Sequence, residues 1–353
     1  MSLRSWVAWP GAPFGIASAA LFGASTPLAK ALLGEGISPW LLAGLLYLGS
    51  GLGLALAWAL RRRSSNEAPL ARRDWGWMAL VVLAGGVAGP LLLMIGLVTT
   101  PASSAALLLN LEGLATMAIA WAVFRENVDR RLLFGALAIL AGAVLLSWQG
   151  TGGGLGWGAV AIAGACLAWG IDNNLTRKVS GSDPVQIAMV KGIAAGLINS
   201  GIAFALGAHL PTPALVAGAS VVGFLGYGVS LVLFVLALRH LGTARTGAYF
   251  STAPFIGALL ALVMFGESMT ARLILAAILM AIGLYLHLVE RHEHDHVHEP
   301  MAHTHAHVHD DHHQHGHGPD DPPSEPHVHH HAHARLIHAH PHYPDLHHRH
   351  GHG

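Results

Sequence analysis

The sequence predicts an all-α integral membrane protein with ten transmembrane helices in two inverted five-helix repeats, followed by a disordered cytoplasmic tail. Three observations favour this fold class. The chain of 353 residues is 53% hydrophobic and only 11% charged, whereas a soluble domain carries about 25% charged residues. It contains ten apolar runs long enough to cross a bilayer, and the last five runs repeat sequence features of the first five.

The ten apolar runs, here called spans 1 to 10, fill most of the chain before residue 290. A hydrocarbon core of about 30 Å takes roughly 20 helical residues, and only helices and closed barrels satisfy their backbone groups in lipid. The runs lack the alternation of barrel strands, so each is predicted to be a helix. Spans 1 to 5 are predicted at 12–33, 40–60, 75–98, 101–124 and 132–148, and spans 6 to 10 at 156–177, 184–207, 213–238, 243–265 and 271–289.

The two sets of five spans share short motifs in the same order. Phe124-Arg-Glu126 after span 4 and Phe265-Gly-Glu267 after span 9 lie 141 residues apart. An N-cap residue followed by proline, which suits the first position of a helix, opens span 2 at Ser38-Pro39 and span 7 at Asp183-Pro184. A duplicated unit explains these matches, so we predict a first repeat at 1–148, a second at 149–290 and a tail at 291–353. Phe22-Gly23 and Lys30 of span 1 similarly match Trp169-Gly170 and Arg177 of span 6.

Loop charge predicts the orientation, because cytoplasmic loops are rich in Lys and Arg. With both termini inside, the outer loops hold a single basic residue, Arg272. Five spans per half is an odd number, so the two halves enter the membrane from opposite sides. Inverted repeats are typical of secondary transporters of the inner (plasma) membrane, whose substrate site lies near the midplane between the halves. The inner side receives Arg4, Arg61, Arg62, Arg63, Arg72, Arg73, Arg125, Arg130, Arg131, Arg177, Lys178, Arg239 and Arg245.

With these motifs, the sequence resembles the drug/metabolite transporter superfamily, and specifically its EamA-type permeases, over about residues 10–289. The resemblance lies in the Phe-Gly…Lys pattern ending at Lys30, in the two Phe-x-Glu motifs at 124–126 and 265–267, and in Pro254 of span 9. It implies a central cavity lined by the first four helices of each half, with spans 5 and 10 packed outside and often in contact in a homodimer. Members of the family move amino acids, other metabolites, drugs or nucleotide sugars. The chain departs from the pattern at Gly113, which stands at the repeat position of Pro254.

Glu112 is a carboxylate near the middle of span 4. An ionised side chain at the bilayer centre costs on the order of 3 kcal/mol, so such residues usually face a cavity or a partner and mark a transport path. We therefore expect Glu112 to bind a cationic substrate group or to exchange a coupling proton, the alternative being a fixed salt bridge between helices. The candidate cations are Lys30, placed near the inner third of span 1, and Lys191 of span 7. Lys30 could instead extend to the cytoplasmic surface.

Further polar residues complete the predicted substrate site. Asp172, Asn173 and Asn174 are consecutive, so no single lipid-facing surface of span 6 accommodates them, although the run could lie at the inner membrane interface. Asn110 lies about 200° around the helix from Glu112. Asn199 is as suited to an interhelical hydrogen bond as to a ligand contact. The predicted substrate-binding residues are Glu112, Asn110, Lys30, Asp172, Asn173, Asn174, Lys191 and Asn199.

The tail from residue 291 holds 24 of the 27 histidines. It lacks aliphatic periodicity and is rich in His, Asp, Pro and Gly, so it is predicted to be disordered. Imidazole suits Zn, Ni and Co, so the tail is predicted to bind such ions. The alternatives are a solvated segment whose metal binding has no physiological use, and a pH sensor. The candidate metal ligands are His292, His294, His296, His298, His303, His305, His307, His309, His312 and His313.

The predicted function is secondary transport of a small organic metabolite or drug by alternating access, with proton coupling through Glu112. The alternative is a transition-metal efflux transporter for Ni, Co or Zn, with the tail as metal collector or sensor. The sequence has no Walker-type loop for ATP and no converging catalytic set, so we expect neither an enzyme nor a required cofactor. A net charge of zero offers no basic surface for nucleic acid. The expected partners are the lipid bilayer, the small-molecule substrate, transition-metal ions and a second copy of the chain.

Overall fold

A computed structural model describes residues 11–61, 69–124, 130–148, 155–176, 179 and 182–288, together with the backbone of four stretches of the tail, 292–298, 301–307, 327–333 and 336–342. Up to residue 288 the described chain is helical apart from its turns and one backbone bridge between Trp148 and Leu155. The predicted all-α membrane fold is therefore confirmed.

Spans 1 to 5 are all helical, and spans 3 and 4 are interrupted. Span 1 is Ala12–Gly34, span 2 is Pro39–Arg61 and span 5 is Arg130–Ser147. Span 3 consists of a short turn of helix at Arg72–Asp74, a helix at Trp75–Val81, a π-helical segment at Val82–Ala88 and a helix at Gly89–Thr99. Span 4 consists of two helices, Ala102–Leu108 and Leu111–Phe124.

Spans 6 to 10 follow the same plan. Span 6 is Trp157–Thr176, span 7 is Pro184–Ala205 and span 10 is Ala271–Leu288. Spans 8 and 9 contain, in order, a helix at Pro213–Gly223, a π-helical segment at Phe224–Val229 and helices at Ser230–Phe250 and Ala253–Phe265.

The chain reverses direction within Ser230–Phe250, between spans 8 and 9. The rings of Phe234 and Phe250 lie 5.0 Å apart, whereas sixteen residues of straight helix would separate them by about 24 Å. Span 8 therefore ends, and span 9 begins, inside this helical stretch.

Seven of the described helical stretches are long and apolar enough to cross a membrane, and two shorter apolar helices form the described parts of spans 9 and 10. Span 6 is a helix of 20 residues that belongs to neither group. The described body of the protein is thus built of helices, most of them long and apolar enough to cross a membrane.

The interruptions occur at equivalent positions in the two halves. The π-helical segments of spans 3 and 8 begin 142 residues apart, at Val82 and Phe224. Span 4 turns at 109–110 and span 9 at 251–252, whereas the sequence predicted continuous helices. Pro254 opens the second helix of span 9, and Asn110 stabilises the turn in span 4 by donating from Nδ2 to the Leu107 carbonyl at 2.8 Å.

The first span of each half packs into the other half. A Cβ at Gly23 of span 1 would lie 3.2 Å from the Gly257 nitrogen of span 9, and a Cβ at Gly170 of span 6 would lie 3.0 Å from the Thr116 nitrogen of span 4. Thr116 and Gly257 are 141 residues apart, like the two Phe-x-Glu motifs. The two halves therefore interlock through equivalent glycine contacts.

Spans 2 and 7 approach each other through glycines. A Cβ at Gly192 would lie 2.7 Å from the Gly51 Cα and 3.0 Å from the Tyr47 carbonyl oxygen. Small residues allow such backbone approach in membranes. Spans 5 and 10 pack against each other in the same way, where a Cβ at Gly142 would lie 3.0 Å from the Ala276 carbonyl oxygen.

Replacing Gly192 by valine is expected to lower the free energy of unfolding by about 1–3 kcal/mol, because the new side chain overpacks the contact with span 2. The measurement is thermal unfolding of the purified protein in detergent. Gly201→Val is the matched control, since it makes the same change in the same helix at a position where a Cβ meets no atom within 4 Å. Equal losses of stability in the two variants would contradict the predicted contact.

The described backbone of the tail forms two antiparallel two-stranded ladders. Strand β1 (His292–His298) pairs with β4 (Leu336–His342), and β2 (Met301–His307) pairs with β3 (His327–His333). These four stretches differ from the disorder that was predicted for the tail. Ladder pairing satisfies backbone donors and acceptors without a buried apolar face, and composition alone does not reveal such pairing.

Candidate functional site

A hydrogen-bonded cluster joins the two halves of the protein. The Glu112 carboxylate of span 4 accepts a hydrogen bond from Nδ2 of Asn173 of span 6 at 3.0 Å. The same Nδ2 lies 3.2 Å from Oγ1 of Thr116, and the Thr116 hydroxyl donates to the Glu112 carbonyl at 2.9 Å. We call Glu112, Thr116 and Asn173 the central cluster.

Asn173 is exposed on the protein-facing side of span 6. Leu167 and Ile171 are exposed at helical spacing and mark the lipid side of this helix. Asn173 lies two residues after Ile171, or about 200° around the helix, and one turn after the buried Trp169. Asn173 therefore faces away from the lipid side of span 6, and we call the space beside it the internal space.

Glu112 faces the same internal space. Trp121, nine residues later in span 4, is 59% exposed, and nine residues correspond to about 180° of rotation. Glu112 is half-buried on the side opposite to this lipid-facing tryptophan. The carboxylate thus lies away from this lipid-facing side of span 4, and its role on a transport path stays a prediction.

Asp172 and Lys191 form an ion pair beside the central cluster. The Lys191 ammonium contacts Oδ2 of Asp172, and their side chains are only 19% and 6% exposed, respectively. Oδ1 of Asp172 also accepts a hydrogen bond from the Thr176 hydroxyl at 3.2 Å. Lys191 was a predicted partner of Glu112; its ammonium contacts the neighbouring aspartate directly, and its charge also acts on Glu112.

Glu112 consequently has no ion-pair partner within the described part of the chain. Asp172 and Lys191 neutralise each other, so the group formed by Glu112, Asp172 and Lys191 carries a net charge of −1 when all three are ionised. A cation or a proton reaching the internal space would complete the charge balance of this group.

The π-helical segment of span 3 presents two carbonyl oxygens to side chains from three other spans. Gly85 O accepts hydrogen bonds from the Tyr47 hydroxyl at 2.8 Å and from Nε1 of Trp169 at 3.0 Å. Gly86 O accepts from Nδ2 of Asn199 at 3.0 Å. A π-helical turn changes the backbone hydrogen-bond pattern, which lets these carbonyls bind side chains. Asn199 thus makes an interhelical hydrogen bond, the alternative noted for it.

The equivalent region of the second half is aromatic. The Tyr227 ring of span 8 lies 5.5 Å from the Tyr47 ring and 5.9 Å from the Phe22 ring, and Phe22 lies 5.2 Å from Phe250. Tyr227 stands 141 residues after Gly86. These four rings, which we call the aromatic wall, lie beside the polar groups found around span 3, and Tyr47 belongs to both sets.

The two halves differ in charge at equivalent positions. A Cβ at Gly85 would lie 2.7 Å from the Cβ of Asp172, and a Cβ at Gly226 would lie 2.6 Å from the Cβ of Ser25. Ser25 and Asp172 are 147 residues apart, like Phe22 and Trp169 in the sequence repeat, and the structure places them against equivalent glycines. We call Asp172 and the polar groups around span 3 the polar wall.

Two predicted site residues, Lys30 and Asn110, make their hydrogen bonds away from the central cluster and its neighbours. Lys30 donates to the carbonyls of Leu97, Val98 and Thr100, near the end of span 1 farthest from Ala12. Lys30 thus lies about 27 Å along the helix from Ala12. The side of the membrane on which this end of span 1 lies stays a prediction. Asn110 stabilises the turn of span 4 and lies 3.8 Å from the Met280 sulfur.

The remaining predicted site residue, Asn174, is buried next to the cluster. Its Nδ2 lies 3.1 Å from the Thr116 carbonyl oxygen and 2.8 Å from the Gly170 carbonyl oxygen. Asp172 and Asn174 thus face protein, whereas Asn173 faces the internal space.

Sequence reasoning missed three residues of this region. Thr116 could have been found, since it lies one turn after Glu112 on the same helix face. Tyr47 and Trp169 gave no such signal, because the carbonyls that they bind are available only through the π-helical segment.

The described side chains contain no group of three or more His, Cys, Asp or Glu residues placed to hold a metal ion. His309, His312 and His313 lie outside the described residues, as do the side chains of the other predicted metal ligands. Metal binding by the tail therefore stays a prediction.

Comparisons with known proteins agree with this architecture. Residues 9–148 and 156–289 each match the model of the EamA-like transporter family. An uncharacterized transporter of Methanothermobacter thermautotrophicus is 28% identical over 236 residues, which cover 65% of this chain and 68% of that protein. A probable 4-amino-4-deoxy-L-arabinose-phosphoundecaprenol flippase subunit, ArnE, of Pseudomonas paraeruginosa is 40% identical over 92 residues, or 26% of this chain and 70% of that protein.

A solved crystal structure superposes with a TM-score of 0.59 at 19% sequence identity. The superposition covers 78% of this chain and 96% of the other chain. At this level of identity the likeness shows a shared fold.

Proposed function

The chain belongs to the EamA-like transporter family, and on that premise we propose that it moves a small organic molecule across the inner membrane by alternating access, with the central cluster as its substrate site. It is a multi-pass membrane transporter, with ten spans in two halves. In the proposed orientation both termini and the histidine-rich tail are cytoplasmic, as the basic residues of the loops indicate.

The observation that carries this proposal is the position of Asn173. It is exposed on the protein-facing side of span 6 and bonded to the carboxylate of Glu112. The accessible space thus contains one polar residue from each half. Transporters built from inverted repeats bind substrate at such an interface, where motion of one half against the other changes access.

The chemistry of the two walls favours an organic substrate that carries a cationic group. The Glu112 carboxylate can pair with an amine, Asn173 can accept or donate a hydrogen bond, and the aromatic wall around Tyr227 can contact an apolar or ring-shaped body. The Pseudomonas relative is named for a lipid-linked amino sugar, whose amine is a cation of this kind. A coupling proton is the second species that Glu112 would bind.

Transition-metal efflux is the second candidate function, and one observation favours it. The ladders of the tail place histidine opposite histidine, for example His294 opposite His340 and His305 opposite His329. Directly opposite residues of an antiparallel pair are near neighbours, and imidazole suits Zn, Ni and Co. In this proposal the tail would collect metal for the body to export.

A ligand screen by thermal unfolding tests these proposals, because a ligand that binds only the folded protein raises its melting temperature. We expect amine-bearing metabolites to stabilise both the full chain and a chain ending at Glu290, but not Glu112→Gln. Ni, Co and Zn are expected to act on the full chain alone. Metal stabilisation of the shortened chain, with no effect of any organic amine, would contradict the organic substrate and favour metal transport.

A further inference from the structure

The connection between spans 3 and 4 is held by a cation from span 1. The helix Gly89–Thr99 ends there, and the last carbonyls of a helix lack partners within it. The Lys30 ammonium contacts the Leu97 carbonyl and lies 3.2 Å from the Val98 oxygen and 3.1 Å from the Thr100 oxygen. A positive charge at the negative end of a helix is a stabilising arrangement.

The other side of this connection is held by an anion from the second half. Oε1 of Glu267 accepts a hydrogen bond from the Ala102 nitrogen at 2.7 Å, and Oε2 accepts from the Ser103 nitrogen at 3.1 Å and from the Ser103 hydroxyl. These nitrogens start the first helix of span 4 and have no acceptor within it. Gly266, with φ +59°, provides the left-handed turn after span 9 that precedes Glu267.

Lys30 and Glu267 bind the two sides of the same connection, so the two charges and the connection 97–103 form one unit, which we call the clamp. The clamp ties span 1 and the span 3–4 connection of the first half to the span 9–10 connection of the second half. It therefore closes one end of the interface at which the two halves would move.

The clamp lies far from the central cluster. Gly158, at the start of span 6, packs at the clamp end, where its Cβ would lie 2.8 Å from the Gly96 carbonyl oxygen of span 3. Asn173 follows fifteen residues later in the same helix, about 23 Å along its axis. The central cluster thus lies toward the opposite end of span 6, separated from the clamp end by most of the bundle.

We infer that the clamp is a closed gate on the transport path, and that Glu267 and Lys30 release the span 3–4 connection when the central cluster opens to their side of the membrane. This inference rests on the proposed transport through the central cluster, and it adds two gating residues to that function. In the orientation given by the loop charges, the gate faces the outside.

The burial of the two charges suits a contact that breaks in each cycle. Lys30 and Glu267 are both half-buried near the end of the bundle, so water can solvate each of them when it leaves the span 3–4 connection, and charged contacts near water are weak. The Asp172–Lys191 pair is more deeply buried, and separating it would leave charges in a low dielectric. The contacts of the clamp therefore suit a gate that opens and closes, whereas the Asp172–Lys191 pair suits a link that stays intact.

Side-specific labelling of one cysteine tests the gate. Cys166 is the single cysteine of the chain, so Cys166→Ala gives a thiol-free background to which Asn173→Cys adds a reporter in the internal space. A membrane-impermeant maleimide is added to intact cells. Glu267→Gln is expected to raise the labelling rate from outside at least about fivefold, and Lys30→Met is expected to raise it similarly.

Glu35→Gln is the matched control, because Glu35 is an exposed carboxylate that follows span 1 at the same end of the bundle. It should leave outside labelling at the level of the parent. A permeant maleimide measures total thiol reactivity, which should change little in the folded variants. Labelling is measured only on the monodisperse fraction from gel filtration, so that unfolded protein is excluded. If Glu267→Gln does not fold, Lys30→Met provides the test.

Two results would overturn the gate. The first is outside labelling of both clamp variants at the rate of Glu35→Gln. The second is an equal rise of labelling from both membrane faces, measured with inside-out vesicles, which indicates general loosening. Neither result depends on transport, so failure of the gate is distinct from failure of the substrate site, which the Glu112→Gln variant tests by binding and transport.

Discussion

Glu112→Gln is expected to lower transport of the organic substrate by roughly 10- to 100-fold with little loss of folded protein. A hydrogen bond to a charged group contributes about 1.5–3 kcal/mol, and each 1.4 kcal/mol is a factor of ten. The folded yield should persist because the glutamine oxygen still accepts the hydrogen bond that Asn173 donates to Glu112. The substitution therefore removes the charge and keeps the contact between the halves.

The measurement is uptake by proteoliposomes of an amine found by the thermal screen, with and without a proton gradient. If Glu112 binds the substrate amine, both exchange and gradient-driven accumulation should fall. If Glu112 carries a coupling proton, exchange should persist while accumulation is lost. Glu35→Gln removes an exposed carboxylate elsewhere and should transport like the parent, and parental transport by Glu112→Gln would contradict both roles.

Lys191→Met is expected to destabilise the protein by about 3–5 kcal/mol, which is enough to remove most of the folded protein. The substitution removes the cation that pairs with the carboxylate of Asp172. The Asp172 side chain is only 6% exposed, so its charge would remain buried without this partner. Adding Asp172→Asn to the same chain removes this charge and should restore most of the lost stability. Thermal unfolding and the monodisperse yield are measured for the parent, for each single variant and for the double variant. Together these four values give the coupling energy between the two residues.

The double variant is the decisive sample in this set. Coupling between Asp172 and Lys191 appears as a double variant that is more stable than Lys191→Met alone. Stability losses that simply add would show that the buried pair contributes no mutual stabilisation. Transport by a folded double variant would show in addition that the pair is structural, because neither charge would be present.

Much of the fold could be predicted because a bilayer imposes length and polarity on each span. The ten spans, and the positions that the repeat matches, such as Ser25 and Asp172, follow from the sequence alone. The breaks in spans 4 and 9 and the π-helical segments could not be predicted in this way. Non-helical backbone inside a membrane depends on partners from other spans, such as Tyr47 and Trp169 at Gly85 O.

The candidate site was predicted in part. Glu112 and Asn173 were both expected in it, since each places a polar group inside an apolar run. Their direct contact, and the pairing of Lys191 with Asp172, depend on how spans from different halves lie against each other, and one sequence carries no such distance. Glu267 was noted only as part of a repeated motif, because its role as a cap requires the position of Ser103.

The hydrogen bond across the halves also constrains how the protein is made. Asn173 follows Glu112 by 61 residues, and at about 5–20 residues per second roughly 3–12 s pass before the ribosome has added the partner. During that interval the Glu112 carboxylate of span 4 lacks its contact with Asn173. The contact of Gly23 in span 1 with span 9 forms later still, because span 9 is synthesised after span 6. The first five spans are therefore synthesised before the residue that binds the Glu112 carboxylate exists in the chain.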